Sequence, residues 1–224
     1  MKLSIIVPVL NEADHLPALL EHLARWREQG CEVVLVDGGS RDGSCDLIRQ
    51  GGFSLVETGR GRARQMNAGA AIASGDMLLF LHADSRLPDD ARLQIQRIDH
   101  TLESVWGRFD VEIEGRPLML KVVSGMMNIR SRLTGIATGD QAIFVSRALF
   151  EKAKGYPDQP LMEDIELSRR LLQLCRPQCL KGPVQTSGRR WESRGVWRTI
   201  LLMWQLRWAY WRGTRAEQLA RRYQ

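Results

Sequence analysis

Short apolar runs alternate with amphipathic segments along the first 81 residues of the chain. Three runs rich in Val, Ile and Leu, at Lys2–Val9, Glu32–Val36 and Asp76–Leu81, predict buried strands. Helices are predicted for Glu12–Glu28, which has apolar residues at helical spacing, and for the alanine-rich segment Arg60–Ala73. Two shorter predicted elements lie between them, a helix over Gly43–Gln50 and a strand over Phe53–Glu57. Strands that alternate with helices predict a parallel sheet with right-handed crossovers, and therefore an α/β fold.

The second half of the chain has a less regular pattern. Five elements are predicted there: helices over Pro88–Glu103, Pro117–Leu133 and Met162–Leu174, and strands over Val105–Ile113 and Gln141–Val145. The chain has no internal repeat and no low-complexity linker. We therefore expect one domain over residues 1–185, followed by a basic, Trp-rich helical region over residues 186–224.

The positive charge of the protein is concentrated in this C-terminal region. From Thr186 onward the sequence has nine Arg and two Glu, whereas the preceding 185 residues have 23 basic and 24 acidic side chains. A basic tail on a nearly neutral domain indicates a local anionic target. It does not favour nucleic-acid binding, which requires a broader basic surface.

The predicted helix over residues 196–213 has an unusual aromatic face. Trp197, Leu201, Trp204, Trp208 and Trp211 follow one another at steps of four and three residues, so they share one side of the helix. Other apolar residues fall on the opposite side, which means that both sides must be covered. Three coverings are open: a membrane surface, a second subunit in a homodimer, or the fold itself.

The amino-terminal sequence and the cysteines indicate the cellular compartment of the protein. Asn11 and Glu12 interrupt the first apolar run too early for a signal peptide, and no stretch reaches the roughly 20 apolar residues that cross a bilayer. The four cysteines include no CxxC pair, which fits a reducing compartment. We expect a cytoplasmic protein, peripheral at the inner face of the membrane if the aromatic helix meets lipid.

Polar residues follow three of the predicted strands. Asn11 and Glu12 come after the first strand, Asp37 after the second, and His82 and Asp84 after the strand that ends at Leu81. Each has an ordinary role in turns or helix caps when taken alone. Because ligands bind at the carboxyl ends of strands in an open parallel sheet, their shared position predicts a ligand site.

Four sequence blocks resemble the family 2 glycosyltransferases. The blocks are IIVPVLNE, VDGGSRDGS, ARQMNAGAAIASGDMLLFLHADS and MEDIELSRRL, and they stand in the family's order between residues 3 and 174. The resemblance implies a GT-A-type nucleotide-diphospho-sugar transferase fold. Its central sheet would be mostly parallel and flanked by helices, with amphipathic helices at the C-terminus. The glycine fingerprints of NAD-binding and P-loop proteins are absent from the sequence.

The resemblance also implies a nucleotide site. Pro8 and Glu12 stand where the family lines the nucleotide pocket, and Asp37 where a carboxylate meets the base, usually uracil, whose imide N–H it can accept. The family often has a second Asp next to this position, which here is Gly38. Arg64 and Asn67 lie in a segment suited to the diphosphate, although Arg64 could equally belong to a solvated helix face.

The segment His82–Asp84 stands in the place of the family's D-x-D motif. By this resemblance Asp84 is the protein ligand of Mg²⁺ or Mn²⁺. The diphosphate and water would fill the other coordination positions of the ion. His82 replaces the first Asp of the motif. It would either contact ribose or phosphate, or pack at the strand end.

The acidic pair Glu163–Asp164 stands where the family places the general base. By this resemblance Asp164 deprotonates the acceptor, with Glu163 as its neighbour and Asp140 as a rival base. Gln141 is a candidate contact to sugar or acceptor, and Arg190 is a candidate cover for the diphosphate.

We therefore predict a metal-dependent, inverting enzyme of the hexosyltransferase type that moves a sugar from a nucleotide donor, UDP by the family pattern, to an unidentified acceptor. The blocks GRARQMNAG, LFLHADS and TGDQ are similar to a subgroup associated with arsenosugar biosynthesis. The alternative is a catalytically decayed protein that binds nucleotide-sugar or tethers to a membrane. Gly38 and His82 favour this alternative, and the intact Glu163–Asp164 pair opposes it.

Overall fold

A mixed sheet forms the centre of the protein in the computed structural model, which describes residues 1–98 and 104–223. Its strands are β1 (Leu3–Val9), β2 (Glu32–Asp37), β3 (Ser54–Glu57), β4 (Met77–Phe80), β5 (Ser85–Arg86), β6 (Trp106–Glu114), β7 (Phe144–Ser146) and β8 (Gln178–Ser187). The helices of the first half are α1 (Leu16–Glu28), α2 (Ser44–Gln50), α3 (Arg62–Ile72), α4 (Ala91–Gln96) and α5 (Met119–Thr134). Those of the second half are α6 (Arg147–Lys152), α7 (Glu163–Leu172), α8 (Arg189–Arg194), α9 (Val196–Trp211) and α10 (Ala216–Tyr223).

The strand order in the sheet is β3-β2-β1-β4-β7-β6-β8-β5. The strands β3, β2, β1 and β4 are parallel, β7 is antiparallel to both of its neighbours, and β8 is parallel to β6. Val9 pairs with Asp37 in the register of β1 and β2, so the two strands end side by side. The prediction of an α/β fold with a mostly parallel sheet is confirmed.

Helices cover both faces of the sheet. Successive residues of β1 point to opposite faces, which places Ile5 and Val7 in one core and Ile6 in the other. The first core is completed by α1, through residues such as Leu16 and Leu23. The second core is completed by α3 and α7. This alternation explains why the β1 segment is apolar except for Ser4: strands buried on both faces have no solvent-exposed polar side.

The predicted strands before residue 82 are confirmed, and several boundaries shift. Helix α1 begins at Leu16 rather than Glu12, because the carbonyl of Glu12 accepts the N–H groups of His15 and Leu16 in a turn. Helix α4 covers only Ala91–Gln96 of the predicted Pro88–Glu103, whose last five residues lie outside the described residues.

The predicted strand Gln141–Val145 was placed too early in the chain. Strand β7 begins at Phe144, and residues Gly139–Gln141 form a 3₁₀ turn instead. The turn forms because Thr138 and Gln141 cap it reciprocally with side chain and backbone.

Strand β8 was not predicted from the sequence. Its residues are mostly exposed or half-buried and include Gly182 and Pro183, so they lack the alternation that marks a strand. Its pairing with β6 nevertheless brings the chain back to the sheet, and Thr186 pairs with Ile113. The predicted division between residues 185 and 186 falls within β8, and the assignment of two regions stays a prediction.

The C-terminal helices pack against the domain through one side of α9. Leu206 of α9 joins a small core with Leu161, Met162 and Leu219. Val196 and Ile200 join a second cluster, contributed by α5 and β6. Within residues 1–98 and 104–223, no helix combines the length and apolar character needed to cross a bilayer.

Candidate active site

Asp37 ends β2 and orders the loop that follows it. Its Oδ2 accepts the backbone N–H groups of Gly39 at 2.7 Å and Ser40 at 2.9 Å. Its Oδ1 is buried and has no hydrogen-bond partner. Burial raises the pKa of Asp37, but the hydrogen bonds from Ser40 and Gly39 outweigh this effect, so the pKa lies below its ordinary value. Asp37 is therefore a carboxylate at neutral pH with one oxygen free to accept a ligand's hydrogen bond.

Gln65 fills the space beside Asp37. Its Nε2 donates to the carbonyls of Val9 and Val36, both at 2.8 Å, and so ties the ends of β1 and β2 together. A Cβ on Gly38 would lie 2.9 Å from the Gln65 side chain. A second acidic residue at position 38 therefore has no room in this protein. Sequence reasoning missed Gln65, whose polar character on the buried side of a helix was its only signal.

The loop after β1 meets the end of β8. Glu12 is half-buried, and its Oε2 lies 3.7 Å from Nη2 of Arg189. Burial is the main cause of the raised pKa of Glu12, which Arg189 lowers in part and Asp84 raises further. The carbonyl of Asp84 accepts the N–H of Ser187 at 3.1 Å. The unpredicted strand thus carries basic residues to the predicted site, next to Glu12 and Asp84.

His82 and Asp140 form a pair next to Gly139. The Nδ1 of His82 lies 3.2 Å from Oδ1 of Asp140, and its Nε2 is buried without a hydrogen-bond partner. A Cβ on Gly139 would overlap the His82 ring, so the glycine is needed for this close approach. Burial raises the pKa of Asp140, but the hydrogen bond from His82 and the charges of Arg62 and Arg190 together lower it.

The predicted general base is held at the start of α7. Oδ2 of Asp164 accepts the N–H of Gly139 at 2.8 Å, and Oδ1 accepts the N–H of Ile165 at 2.7 Å. The neighbouring Glu163 is almost fully buried, with Oε1 3.5 Å from Nη1 of Arg62. Burial and the charge of Asp164 raise the pKa of Glu163, while Arg62 opposes them. The Gly139 loop therefore joins Asp140 and Asp164 in one place.

Arg190 is held at the same place by the C-terminal helix. Its guanidinium carbon lies 3.8 Å from the ring centroid of Tyr223, and its Nη1 donates to the Tyr223 hydroxyl. The charge of Arg190 contributes to the lowered pKa of Asp140, which shows that the two are close. Burial raises the pKa of Tyr223, and the charges of Arg190 and Arg62 partly reverse this rise. Sequence reasoning did not single out Tyr223.

Three other predicted residues bind partners within the protein. Nε of the exposed Arg64 donates to Asp158, at 2.8 Å and 3.0 Å from its two oxygens. The Asn67 amide donates to the carbonyl of Tyr156 and accepts its N–H, at 2.8 Å and 2.9 Å. The Gln141 side chain is fully buried. Its Oε1 accepts the N–H of Thr138, and its Nε2 donates to Oδ1 of Asn128. Roles for these residues in ligand binding stay predictions, and in this structure their side chains serve the fold.

Unsatisfied polar atoms are concentrated at this site. Among the described residues, buried side-chain nitrogen or oxygen atoms without a hydrogen-bond partner belong to Asp37, His82 and Arg130. Arg130, on α5, is close enough to Asp164 and Asp140 for their charges to raise its pKa, although burial lowers that pKa overall. Because buried polar groups are normally hydrogen-bonded, atoms left without partners indicate where a ligand binds.

The site offers few ligands for a metal ion. Across residues 1–98 and 104–223, no group of three or more His, Cys, Asp or Glu side chains could hold a metal. Asp84 has an exposed carboxylate at the site, and its Oδ1 accepts the Ser85 hydroxyl at 3.2 Å. This arrangement fits an ion that receives one carboxylate from the protein and its other oxygens from a diphosphate.

The candidate site lies across the ends of β1, β2 and β4 of a mixed α/β fold. Residues 4–148 match the family described as "Glycosyl transferase family 2". The match covers more than half of the chain, and the protein belongs to this family.

Two curated relatives share part of the sequence. The chain is 31% identical over 153 residues to an undecaprenyl-phosphate 4-deoxy-4-formamido-L-arabinose transferase of Yersinia pestis (strain Pestoides F), covering 62% of the chain and 46% of the relative. It is 43% identical over 91 residues to a PGL/p-HBAD biosynthesis glycosyltransferase of Mycobacterium bovis (strain BCG / Pasteur 1173P2). This match covers 38% of the chain and 36% of the relative. The matches thus span less than half the length of these curated relatives.

Solved structures confirm the GT-A type of fold. S. aureus TarS (residues 1–349) superposes with a TM-score of 0.66 at 19% identity, over 84% of this chain and 61% of that one. A mannosyltransferase from Pyrobaculum calidifontis, in complex with GDP-Man and Mn²⁺, superposes with a TM-score of 0.64 at 22% identity, over 83% and 56%.

Proposed function

We propose that this protein is a metal-dependent, inverting glycosyltransferase that moves a sugar from a UDP-sugar to an acceptor. The observation that carries the proposal is the buried, unpartnered Oδ1 of Asp37 at the end of β2. The imide N–H of uracil is a suitable donor to this oxygen, because a carboxylate is a strong acceptor in a buried site. Pro8 and Glu12, at the end of β1, would line the same pocket.

The diphosphate of the donor would lie between Asp84 and Arg190. Asp84 would hold Mg²⁺ or Mn²⁺, and the bound ion would supply positive charge against the charge that develops on the leaving diphosphate. Arg190 would add a second cation, held in place by Tyr223. Solved structures of similar fold contain UDP-GlcNAc in TarS, and GDP-Man with Mn²⁺ in the mannosyltransferase, which supports a nucleotide-sugar donor and a divalent metal ion.

The acceptor hydroxyl would lie next to Asp164. Asp164 takes its proton while the acceptor oxygen forms a bond to the anomeric carbon and the bond from that carbon to the diphosphate breaks. One displacement with one carboxylate base inverts the anomeric centre, and the released proton passes from Asp164 to solvent. Both oxygens of Asp164 accept a backbone N–H, which fixes the carboxylate and leaves a second lone pair on each oxygen for the acceptor.

We also propose that the aromatic face of α9 binds a membrane surface. Its five residues, Trp197, Leu201, Trp204, Trp208 and Trp211, are between 58% and 80% exposed, so the described part of the fold does not cover them. Indole rings suit the headgroup level of a bilayer, and the basic C-terminal region suits anionic lipid. The Yersinia relative is named for a lipid phosphate, undecaprenyl phosphate, which supports a membrane location. The acceptor class of the arsenosugar subgroup stays a prediction.

A binding and turnover experiment tests the enzyme proposal. Nucleoside diphosphates are screened by thermal unfolding with and without Mn²⁺, and hydrolysis of UDP-sugar is then measured for the wild type and Asp84→Ala. We expect UDP with Mn²⁺ to raise the melting temperature most, and Asp84→Ala to lose the metal-dependent part of the rise. UDP binding without any UDP-sugar turnover would support the catalytically decayed alternative. If EDTA lowers the UDP-dependent rise in melting temperature as much in Asp84→Ala as in the wild type, the role of Asp84 as a metal ligand is wrong.

A further inference from the structure

Arg130 has a buried guanidinium group that the protein does not satisfy. Its Nε and Nη2 are buried and have no hydrogen-bond partner in the described part of the chain. Arg108 provides a comparison from the neighbouring strand β6, since its side chain is fully buried whereas Arg130 is half-buried. Arg108 donates to the Ser131 hydroxyl at 3.1 Å, to the Asn128 carbonyl at 3.0 Å and to the Asp110 carboxylate. The fold can therefore satisfy a buried arginine here, and it leaves Arg130 open.

The carboxylates near Arg130 do not bind it directly. The charges of Asp164 and Asp140 reach it, as the pKa of Arg130 shows, but both carboxylates accept hydrogen bonds from other groups. Burying a guanidinium without hydrogen bonds costs free energy, since it loses water and gains no partner. Such a group is satisfied when a planar or tetrahedral oxyanion offers it two oxygens.

We propose that Arg130 binds a phosphate group of the acceptor, next to the base Asp164. The inference rests on the proposed function, because it assigns the acceptor side of the same site. Arg130 would neutralise the phosphate and orient the attacking oxygen, while the donor occupies the side of Asp37 and Asp84. In a soluble phosphate ester the attacking oxygen is a hydroxyl of the acceptor, and in a polyprenyl phosphate it is the P–OH oxygen of the phosphate itself; in both cases Asp164 takes the proton. The acceptor would then belong to the phosphorylated compounds rather than to neutral sugars.

The surface of α5 bears on the source of this phosphate. Five apolar side chains of the α5 segment, between 53% and 81% exposed, follow one another at steps of three and four residues: Leu118, Val122, Met126, Ile129 and Leu133. This stripe is directly adjacent in sequence to Arg130. Helix α5 also packs against α9, since Leu120 and Val123 share a cluster with Val196 and Ile200. A lipid phosphate matches an apolar stripe beside a buried cation, whereas a soluble phosphate ester would use the cation alone.

The test measures phosphate binding while the nucleotide site is full. The full chain is saturated with UDP and Mg²⁺, and its thermal unfolding is followed as inorganic phosphate is added. We expect phosphate at a tenfold excess over its Kd to raise the wild-type melting temperature by about 3 °C or more. Arg130→Gln should lose this shift, and Arg130→Lys should keep only part of it. Lys121→Gln, which removes an exposed cation from the same helix, should respond like the wild type.

A second arm distinguishes the two sources of phosphate. Phosphatidylcholine vesicles with a minor fraction of polyprenyl phosphate replace the inorganic phosphate, and vesicles without it serve as the control. A larger shift with the polyprenyl phosphate vesicles, lost in Arg130→Gln, identifies a lipid phosphate. Equal protection by glycerol phosphate in solution identifies a soluble phosphate ester.

The results that overturn the inference are distinct from those that overturn the function. If UDP raises the melting temperature but no phosphate probe does, or if Arg130→Gln responds like the wild type, the Arg130 site is wrong and the donor site stands. If UDP itself fails to bind, the proposed function is wrong and this inference falls with it. Arg130→Gln is expected to fold, because no described side chain loses a hydrogen-bond partner.

Discussion

The guanidinium carbon of Arg190 lies 3.8 Å from the centre of the Tyr223 ring, so the C-terminal helix holds a cation at the site. A guanidinium over an aromatic face is attracted by the ring's electron density and loses part of its motion. Arg190 follows β8, and Tyr223 ends α10, so two segments that follow most of the α/β domain in sequence meet next to Asp140. The C-terminal region therefore contributes residues to the candidate active site as well as the exposed aromatic face of α9.

We predict that Tyr223→Ala weakens UDP binding in the presence of Mg²⁺ by about 3- to 10-fold, the size of a cation–π contact. The reason is that Arg190 loses its fixed position, not its charge. Calorimetry should show that Arg190→Ala has a similar or larger effect and that the double variant is no weaker than Arg190→Ala. Arg222→Ala, at an exposed position of α10, is the control. Additive losses in the double variant would contradict the coupling.

Asp37→Asn separates base recognition from loop structure. The amide oxygen can still accept the two N–H groups of Gly39 and Ser40, but an NH₂ replaces the oxygen that would accept from uracil. We expect UDP affinity to fall by about 10- to 100-fold, the size of a hydrogen bond to a charged group. Asp46→Asn, at an exposed carboxylate of α2 that pairs only with Arg49 in the described part of the chain, should bind UDP normally. The pKa of Asp37 lies below its ordinary value, so its contribution to binding should persist as the pH falls through the ordinary pKa of an aspartate and be lost only at lower pH.

Asp164→Asn tests the base. Transfer should fall by about 100- to 10,000-fold, because an amide cannot take a proton from the acceptor. UDP affinity should be unchanged, since Asp164 lies on the acceptor side of the site. A steady-state assay with UDP-sugar, beside calorimetry with UDP, makes both measurements. Normal turnover, or loss of UDP binding, would refute this role, and a large loss in Asp140→Asn alone would assign the base to Asp140.

Gly38→Ala should destabilise the protein although alanine is small. The added Cβ would meet the Gln65 side chain at 2.9 Å, and Gln65 cannot move without breaking its bonds to Val9 and Val36. We expect a loss of about 1–3 kcal/mol in the free energy of unfolding, the usual cost of overpacking. Gly125→Ala, within α5 and with open space around it, should gain up to about 1 kcal/mol. Urea denaturation measures both, and equal stability of the two variants would contradict this packing argument.

The aromatic face of α9 predicts binding to anionic vesicles. The wild type should float with vesicles that contain phosphatidylglycerol, more weakly as salt rises, because screening weakens the attraction of the basic region. Replacing Trp204 and Trp208 together by Gln should abolish flotation, since both indoles are more than 60% exposed. Leu93→Gln, an exposed apolar residue of α4, is the matched control. A double variant that floats normally but changes a dimer to a monomer in size-exclusion chromatography would assign the face to a second subunit.

The predicted and missed strands show which secondary structure the local pattern of apolar and polar residues can predict. Strands β1, β2 and β4 were predictable because both of their faces are buried, which makes most of their positions apolar. Strand β8 was not, because it carries polar and exposed residues and is held by pairing with β6, more than 60 residues earlier. The same holds for the 3₁₀ turn before β7. Its capping interactions override the apolar run that follows it.

The sequence by itself determined the fold class, because this follows from the short-range order of apolar and polar residues, and it indicated the family through four blocks that resemble it. The roles of Asp37, Asp84 and Asp164 were implied by that resemblance and stay predictions. Only the tertiary structure decided which polar atoms are satisfied and which are open. It turned Arg64 and Asn67 towards partners about 90 residues away, and it left Nε and Nη2 of Arg130 without a hydrogen-bond partner among the described residues. Hydrogen bonding between distant segments depends on distances and angles that no local pattern specifies, and those contacts separate a residue that supports the fold from one that awaits a ligand.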